Sequence, residues 1–225
     1  QGWNRYFVRL EVNKKAIKSN VRLVLVPQKQ GSVAIDMVSL FPEKTFKGHG
    51  LRVDLAEAIA AMKPKFVRFP GGCMSHGQGL SNIYHWYESV GPWQGRMPAK
   101  NIWNYHQTRG LGFYEYFQFC EYIGAEALPV LAAGVPCQNS TPDKDGMGGQ
   151  QCGIPREDMP AYCQELLNLI DWANGDPATS KWAKMRADAG HPAPFNMKYI
   201  GIGNEDIIST VFEERYEMIC KAIKE

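Results

Sequence analysis

The sequence predicts an α/β fold: a parallel sheet covered by helices, entered through a short β-rich segment. Three observations carry this reading. Short apolar runs, "PKFVRF", "AEALPVLAAG" and "MKYIGIGNE", each follow a stretch whose apolar residues recur at helical spacing. Near-continuous apolar strands alternating with amphipathic helices imply a parallel sheet with right-handed crossovers. The run 1–41 is patterned differently, and each strand-like run after it ends in polar or glycine-rich residues, where α/β sheets gather their functional groups.

In chain order, "YFVRLEV", "NVRLVLVP" and "SVAIDMVSLF" are short β-rich runs separated by polar turns, which suits antiparallel strands of a sandwich. The pattern changes after Pro42. "GLRVDLAEAIAAMK" reads as a helix and "PKFVRF" as a strand stopped by Pro-Gly-Gly. "GLGFYEYFQFCEYIG" and "AEALPVLAAG" repeat the unit. "DMPAYCQELLNLIDWANG" and, after a loop, "MKYIGIGNE" repeat it again, and the helix "VFEERYEMICKAIKE" closes the chain.

Bulk composition narrows the function classes. At 225 residues, 44% hydrophobic and 12% aromatic, the chain can bury one core or one core plus a small lobe. Its 25 basic and 23 acidic residues are interspersed, so there is no basic stripe to follow a phosphate backbone and nucleic acid is not the expected partner. Its longest apolar runs, such as "ALPVLAAGV", fall far short of the roughly 20 residues that span a bilayer, so no membrane crossing is expected. It begins at Gln1 with neither Met nor signal-peptide regions, consistent with removal of a leader or of a longer upstream segment.

Six cysteines (73, 120, 137, 152, 163, 220) show neither C-x-x-C nor the paired Cys/His spacing of a zinc site, and neither metal nor cofactor is expected. Cys137 and Cys152 share one polar, Gly-rich stretch; a disulfide in an oxidising compartment and two free thiols are equal alternatives. Cys120, Cys163 and Cys220 fall in helical patterns, as buried inert thiols do.

The candidate site residues stand at the strand tips: Arg68, Pro70, Gly71, Gly72 and Cys73 with His76 after the first, Gly134 after the second, and Asn204, Glu205 and Asp206 after the third. A strand buried on both faces holds such side chains with little positional freedom. Asp206 is expected to cap the following helix, since Asx side chains accept its free amides; for Glu205 the cap reading is weaker, because glutamate is a poor N-cap. Some forty residues after the first strand hold Tyr84, Trp86, Tyr87, Trp93, Trp103 and Tyr105. Loops of that length are usually functional, and flat rings beside carboxylates suit a carbohydrate. Most of these rings are expected to pack, with one or two lining a cleft. Glu115, at a helix start, is expected no nearer to the chemistry than the residues that support the site. His76, His106 and His191 lack triad partners at recognisable spacing, and there is no G-x-S-x-G, no P-loop and no complete dinucleotide fingerprint.

Together, "DMVSLFPEKTFKGHGLRVDLAEAIAAMKPKF", "KFVRFPGGC", "VGPWQGR", "WNYHQTRGLGFYEYFQFCEYIGAE" and "WAKMRADAGHPAPFNMKYIGIGNED" resemble glycoside hydrolase family 51, the α-L-arabinofuranosidases, over essentially the whole chain after about residue 31. The resemblance implies a (β/α)8 barrel with an appended β-sandwich, retaining chemistry, and as substrate the arabinofuranosyl side chains of plant polysaccharides such as arabinan and arabinoxylan. In the bacterial subgroup most resembled, a carbohydrate-binding-like sandwich precedes or interrupts the barrel. That assigns 1–41 to terminal sandwich strands and 42–225 to the N-terminal half of the barrel. Position by position, it implies Glu205 as general acid/base, Asn204 as partner of the sugar 2-hydroxyl, Cys73 as a substrate-site residue and Trp103 as the tryptophan bordering the sugar subsite. A polysaccharide substrate favours a periplasmic or secreted location.

The chain departs from the family in what it lacks. Retaining hydrolysis needs a second carboxylate, and the resemblance puts the nucleophile on a later barrel strand, beyond Glu225. Residues 42–225 carry three convincing barrel strands, against eight strands and about 250 residues in a whole barrel. The expectation is therefore a fragment, partnered by the rest of its barrel and prone to self-association through open sheet edges. The alternative function is a non-catalytic carbohydrate-binding or scaffold piece.

Overall fold

The computed structural model describes residues 4–11, 22–140 and 152–224, in two compact units, residues 1–36 and 37–225. In the first unit the described residues carry no ladder, and Tyr6, Phe7, Val8, Leu23, Val24, Leu25 and Val26 are exposed. A β-run becomes a strand only by pairing with a neighbour and burying a face, so the assignment of 1–41 to a sandwich remains a proposal.

The second unit has the expected helix–strand rhythm. Helix α1 (Val53–Ala61) precedes β1 (Phe66–Phe69), and the short α2 (Gly72–His76) follows the Pro-Gly-Gly turn. A two-stranded hairpin, β2 (Ala99–Lys100) with β3 (His106–Gln107), lies in the long loop. Helix α3 (Phe113–Ile123) leads to β4 (Glu126–Leu131). Helices α4 (Met159–Asn174) and α5 (Lys181–Asp188) lead to β5 (Gly201–Ile202), and α6 (Thr210–Lys224) follows. The sheet is parallel in the order β1-β4-β5, with Phe66 opposite Glu126, Phe69 opposite Pro129 and Val130 opposite Gly201. Bringing β4 between its two neighbours sets all three carboxyl ends side by side. Among the described residues no helix is long and apolar enough to cross a membrane.

The core lies between sheet and helices. Trp86, Phe113, Phe117, Leu166, Leu169 and Trp172 are fully or almost fully buried. Trp86 meets Trp172 at 5.8 Å and Trp182 at 5.1 Å between ring centroids, and Phe195 packs between Phe117 and Trp172. The fully buried Arg186 of α5 donates to the carbonyls of Trp172 (2.6 Å), Gly175, His191 and Pro192 (each 3.0 Å), fastening the end of α4 to the segment that feeds β5. The long loop is tied down by Arg96, which donates to Gly91 O, Arg109 O and both oxygens of Glu115. Glu115 itself accepts from Gly112 N at 2.9 Å, closing the first turn of α3, and from Trp93 Nε1 at 3.2 Å.

A second link between loop and helix is His85, whose Nδ1 stands 2.8 Å from Glu165 Oε2 on α4. The hydrogen bond to Glu165 holds the imidazole above its ordinary pKa, against the opposing effect of burial. A raised folded value means that the native chain keeps a proton the unfolded chain has already lost. The contribution is therefore complete below about pH 6.5 and disappears as pH rises through the folded value. Urea unfolding across roughly pH 6 to 8 should show native stability falling with pH more steeply than in Glu165→Gln. Parallel curves for the two proteins would remove the pair from the account.

Candidate active site

The ladder between β4 and β5 ends where Gly203 N donates to Leu131 O at 2.7 Å. Gly203 is left-handed (φ 83), and a Cβ there would stand 2.0 Å from Asp206 Oδ2, so the turn needs glycine. Beyond it the backbone N–H of Asn204 points at two acceptors, His76 Nε2 at 2.9 Å and Asp206 Oδ2 at 2.8 Å. The Asn204 side chain lies over Gly72, where a Cβ would meet its Nδ2 at 3.4 Å, and its Oδ1 accepts from Arg68 Nη2 at 2.5 Å. Glu205 is left-handed (φ 50) and exposed, its Oε2 accepting from Gln138 Nε2 at 3.1 Å.

Three strand tips therefore meet. The first supplies Arg68 and the Gly72–Cys73 start of α2, the second Cys137 and Gln138, the third Asn204 and Glu205. Cys73 is half-buried, and Cys137 is buried and donates to Gln138 Oε1 at 3.2 Å. Burial, and then the neighbouring Cys73 thiol, push the Cys137 thiol up to about 12. It stays protonated and serves as a donor rather than a nucleophile. Of the alternatives for Cys137 and Cys152, no disulfide joins the two among the described residues. Cys120 and Cys163 are buried as expected, whereas Cys220 is only half-buried.

Of the four residues expected at the site, Asn204, Glu205 and Cys73 sit on the converging tips. Trp103 stands apart, on the turn of the β2–β3 hairpin, 52% exposed, with its backbone N–H held by Asn101 Oδ1. The hairpin touches the site's edge through Gln107 Nε2, 3.3 Å from Met74 Sδ, one residue after Cys73. The other loop rings differ in burial. Tyr84 and Trp86 are core, Trp93 stacks on Phe41 at 5.4 Å, and Tyr105 is exposed like Trp103.

One expectation needs correction. Asp206 does not cap α6: Ser209 Oγ accepts from Phe212 N, while Asp206 turns back to Asn204 N and lies 3.4 Å from His76 Nε2. A hydroxyl immediately before the first helical residue reaches the free amides of the first turn, and an Asx three residues further upstream does not. Gln138 was not singled out in the sequence and could not be, because its partner lies 67 residues away and only the strand order brings them together. Among the described residues no group of three or more His, Cys, Asp or Glu is placed to hold a metal ion.

Comparison with known proteins converges on one family. Residues 58–225 match the model of the α-L-arabinofuranosidase 1 domain. The chain is 40% identical to an extracellular exo-α-L-arabinofuranosidase of Streptomyces chartreusis, covering 99% of this chain and 27% of the relative, and 39% identical to α-L-arabinofuranosidase 1 of Arabidopsis thaliana, covering 99% and 30%. Among solved structures it resembles the arabinose-bound GH51 α-L-arabinofuranosidase MgGH51, with TM-score 0.69 and 34% identity over 80% of this chain and 27% of that one. It also resembles the arabinose complex of the Thermotoga maritima α-L-arabinofuranosidase, with TM-score 0.51 and 27% identity over 70% and 26%. The chain thus spans under a third of the length of these relatives.

Proposed function

The chain belongs to the α-L-arabinofuranosidases of glycoside hydrolase family 51, and from that premise we propose that it carries the acid/base half of a site that removes terminal non-reducing α-L-arabinofuranosyl residues from arabinan- or arabinoxylan-type polysaccharides. The observation that supports this best is the tip of β5, where Asn204 and Glu205 are delivered onto Arg68 and Gln138 at the carboxyl ends of a parallel sheet. Glu205 protonates the departing glycosidic oxygen and later takes a proton from water. Asn204, its Oδ1 engaged by Arg68, turns its amide N–H groups toward the sugar 2-hydroxyl. Cys73 borders the sugar beside Gly72, and Trp103 offers an exposed ring on the neighbouring hairpin. The relative named as extracellular supports a secreted protein.

Retaining chemistry needs two carboxyl groups about 5–5.5 Å apart, the second forming the glycosyl-enzyme bond. In this reading the second comes from the part of the barrel that the relatives have beyond the matched third, and β1 and β5, the edge strands of the described sheet, take up the remaining strands. The 225-residue chain alone should then hydrolyse no aryl α-L-arabinofuranoside above a Glu205→Gln control, while the whole protein does. Turnover by the chain alone above that control would overturn the divided site. Sugar binding by the whole protein without any turnover would favour a carbohydrate-binding role instead.

A further inference from the structure

His76 is the last residue of α2 and is fully buried. Its Nδ1 lies 2.8 Å from Val135 O, just beyond β4. A carbonyl only accepts, so Nδ1 carries the proton, and Nε2 is left with the lone pair that accepts the Asn204 N–H at 2.9 Å, a donor it shares with Asp206 Oδ2 at 2.8 Å, while Asp206 Oδ1 lies 3.4 Å from the same nitrogen. One ring therefore bridges all three strand tips: it stands on α2 after β1, donates to the segment after β4 and accepts from the first residue after Gly203. The bond to Asn204 immediately precedes Glu205, whose left-handed backbone (φ 50) is uncommon for a glutamate. The α2 end of the bridge is fixed as well. Gly77 follows with φ 68, and a Cβ there would stand 2.0 Å from Asn82 O, so the backbone leaving His76 is packed directly against the loop.

We propose that His76 is a positioning residue for the acid/base: it acts on the reaction through the Asn204 backbone, fixing where the Glu205 carboxylate stands without touching substrate. This rests on Glu205 being the acid/base. Displacement of a reacting group by about 1 Å costs on the order of 10²-fold in rate. The cost here should fall on the step that needs a proton, because an aryl group of low pKa leaves unaided.

The test compares kcat/KM on an arabino-oligosaccharide and on 4-nitrophenyl α-L-arabinofuranoside for the whole protein and its His76→Leu, His76→Gln and Glu205→Ala variants. Taking the ratio of the two substrates on one preparation cancels any loss of folded enzyme. His76→Leu, which removes both hydrogen bonds, should lower the ratio by roughly 10- to 100-fold. His76→Gln, whose carbonyl can still accept from Asn204 N–H, should restore most of it. If His76→Leu loses equally on both substrates while Glu205→Ala does not, His76 merely supports the fold and the proposal is overturned. If Glu205→Ala itself shows no dependence on the leaving group, the acid/base reading fails first and the role of His76 falls with it. Should His76→Leu not accumulate as soluble protein, His76→Asn is measured in the same ratio, and an unchanged ratio there overturns the proposal equally.

Discussion

In the whole protein, Glu205→Ala should slow hydrolysis of natural arabinosidic linkages by about 10²–10⁴-fold, the usual size of a lost proton transfer. An activated aryl arabinofuranoside should lose far less in its first step, because its leaving group needs no proton. The same carboxyl must later deprotonate water, so on the activated substrate the arabinosyl-enzyme should accumulate and give a burst of aryl alcohol followed by slow turnover. Azide attacks without a base and should speed the second step, and retention predicts the α-linked arabinosyl azide as product. The geometry makes this a clean test. Glu205 is exposed and held through Gln138, so its removal opens no cavity in the core. Equal losses on good and poor leaving groups, with no effect of azide, would reduce Glu205 to a residue that orients the sugar.

The second large effect is on stability. Arg186→Met should destabilise the native state by about 3–5 kcal/mol, read as a lower urea midpoint at unchanged slope. The guanidinium satisfies four carbonyls from two separate segments. Each acceptor left buried without a partner costs about 1–3 kcal/mol, which outweighs what methionine recovers as apolar contact. Arg186→Lys should regain only part, since one ammonium cannot span the fork of bonds that the planar group makes. A loss under about 1 kcal/mol would mean that water reaches those carbonyls once the guanidinium is gone. The damage should extend to the site, because the segment held by Arg186 runs through Phe195, whose N–H donates to Ala173 O, into β5.

What could be read in the sequence follows from what is local. The amphipathic spacing of "GLRVDLAEAIAAMK", "GLGFYEYFQFCEYIG" and "DMPAYCQELLNLIDWANG" encodes helices because one face of each meets the core, and α1, α3 and α4 lie within those runs. Helix α5 was missed. Its run "KWAKMRAD" is half charged, and what it turns fully inward is Arg186 with only the small Ala183, a weak apolar stripe. The available signal was Ser180, whose Oγ accepts from Trp182 N and Ala183 N as a cap. Strand β5 is two residues long, although "MKYIGIGNE" looks longer, because a strand extends only as far as its partner pairs with it. Asn204 and Glu205 were legible as a polar break after an apolar run. The parts played by Gln138 and His76 were not, since each depends on which strands become neighbours, a property of the sheet and not of any segment.

The left-handed backbone at Glu205 has a consequence for how this position came to hold glutamate. Folding alone favours glycine or asparagine at such an angle, and a longer side chain there works against the native state. Variation screened only for robust folding would drift away from glutamate at 205. If the test above assigns Glu205 the proton transfers, its presence at that angle is a residue kept for chemistry at the expense of the molecule's own durability; Lys47, Lys63 and Arg109 adopt similar angles, so the angle alone does not mark a catalytic residue.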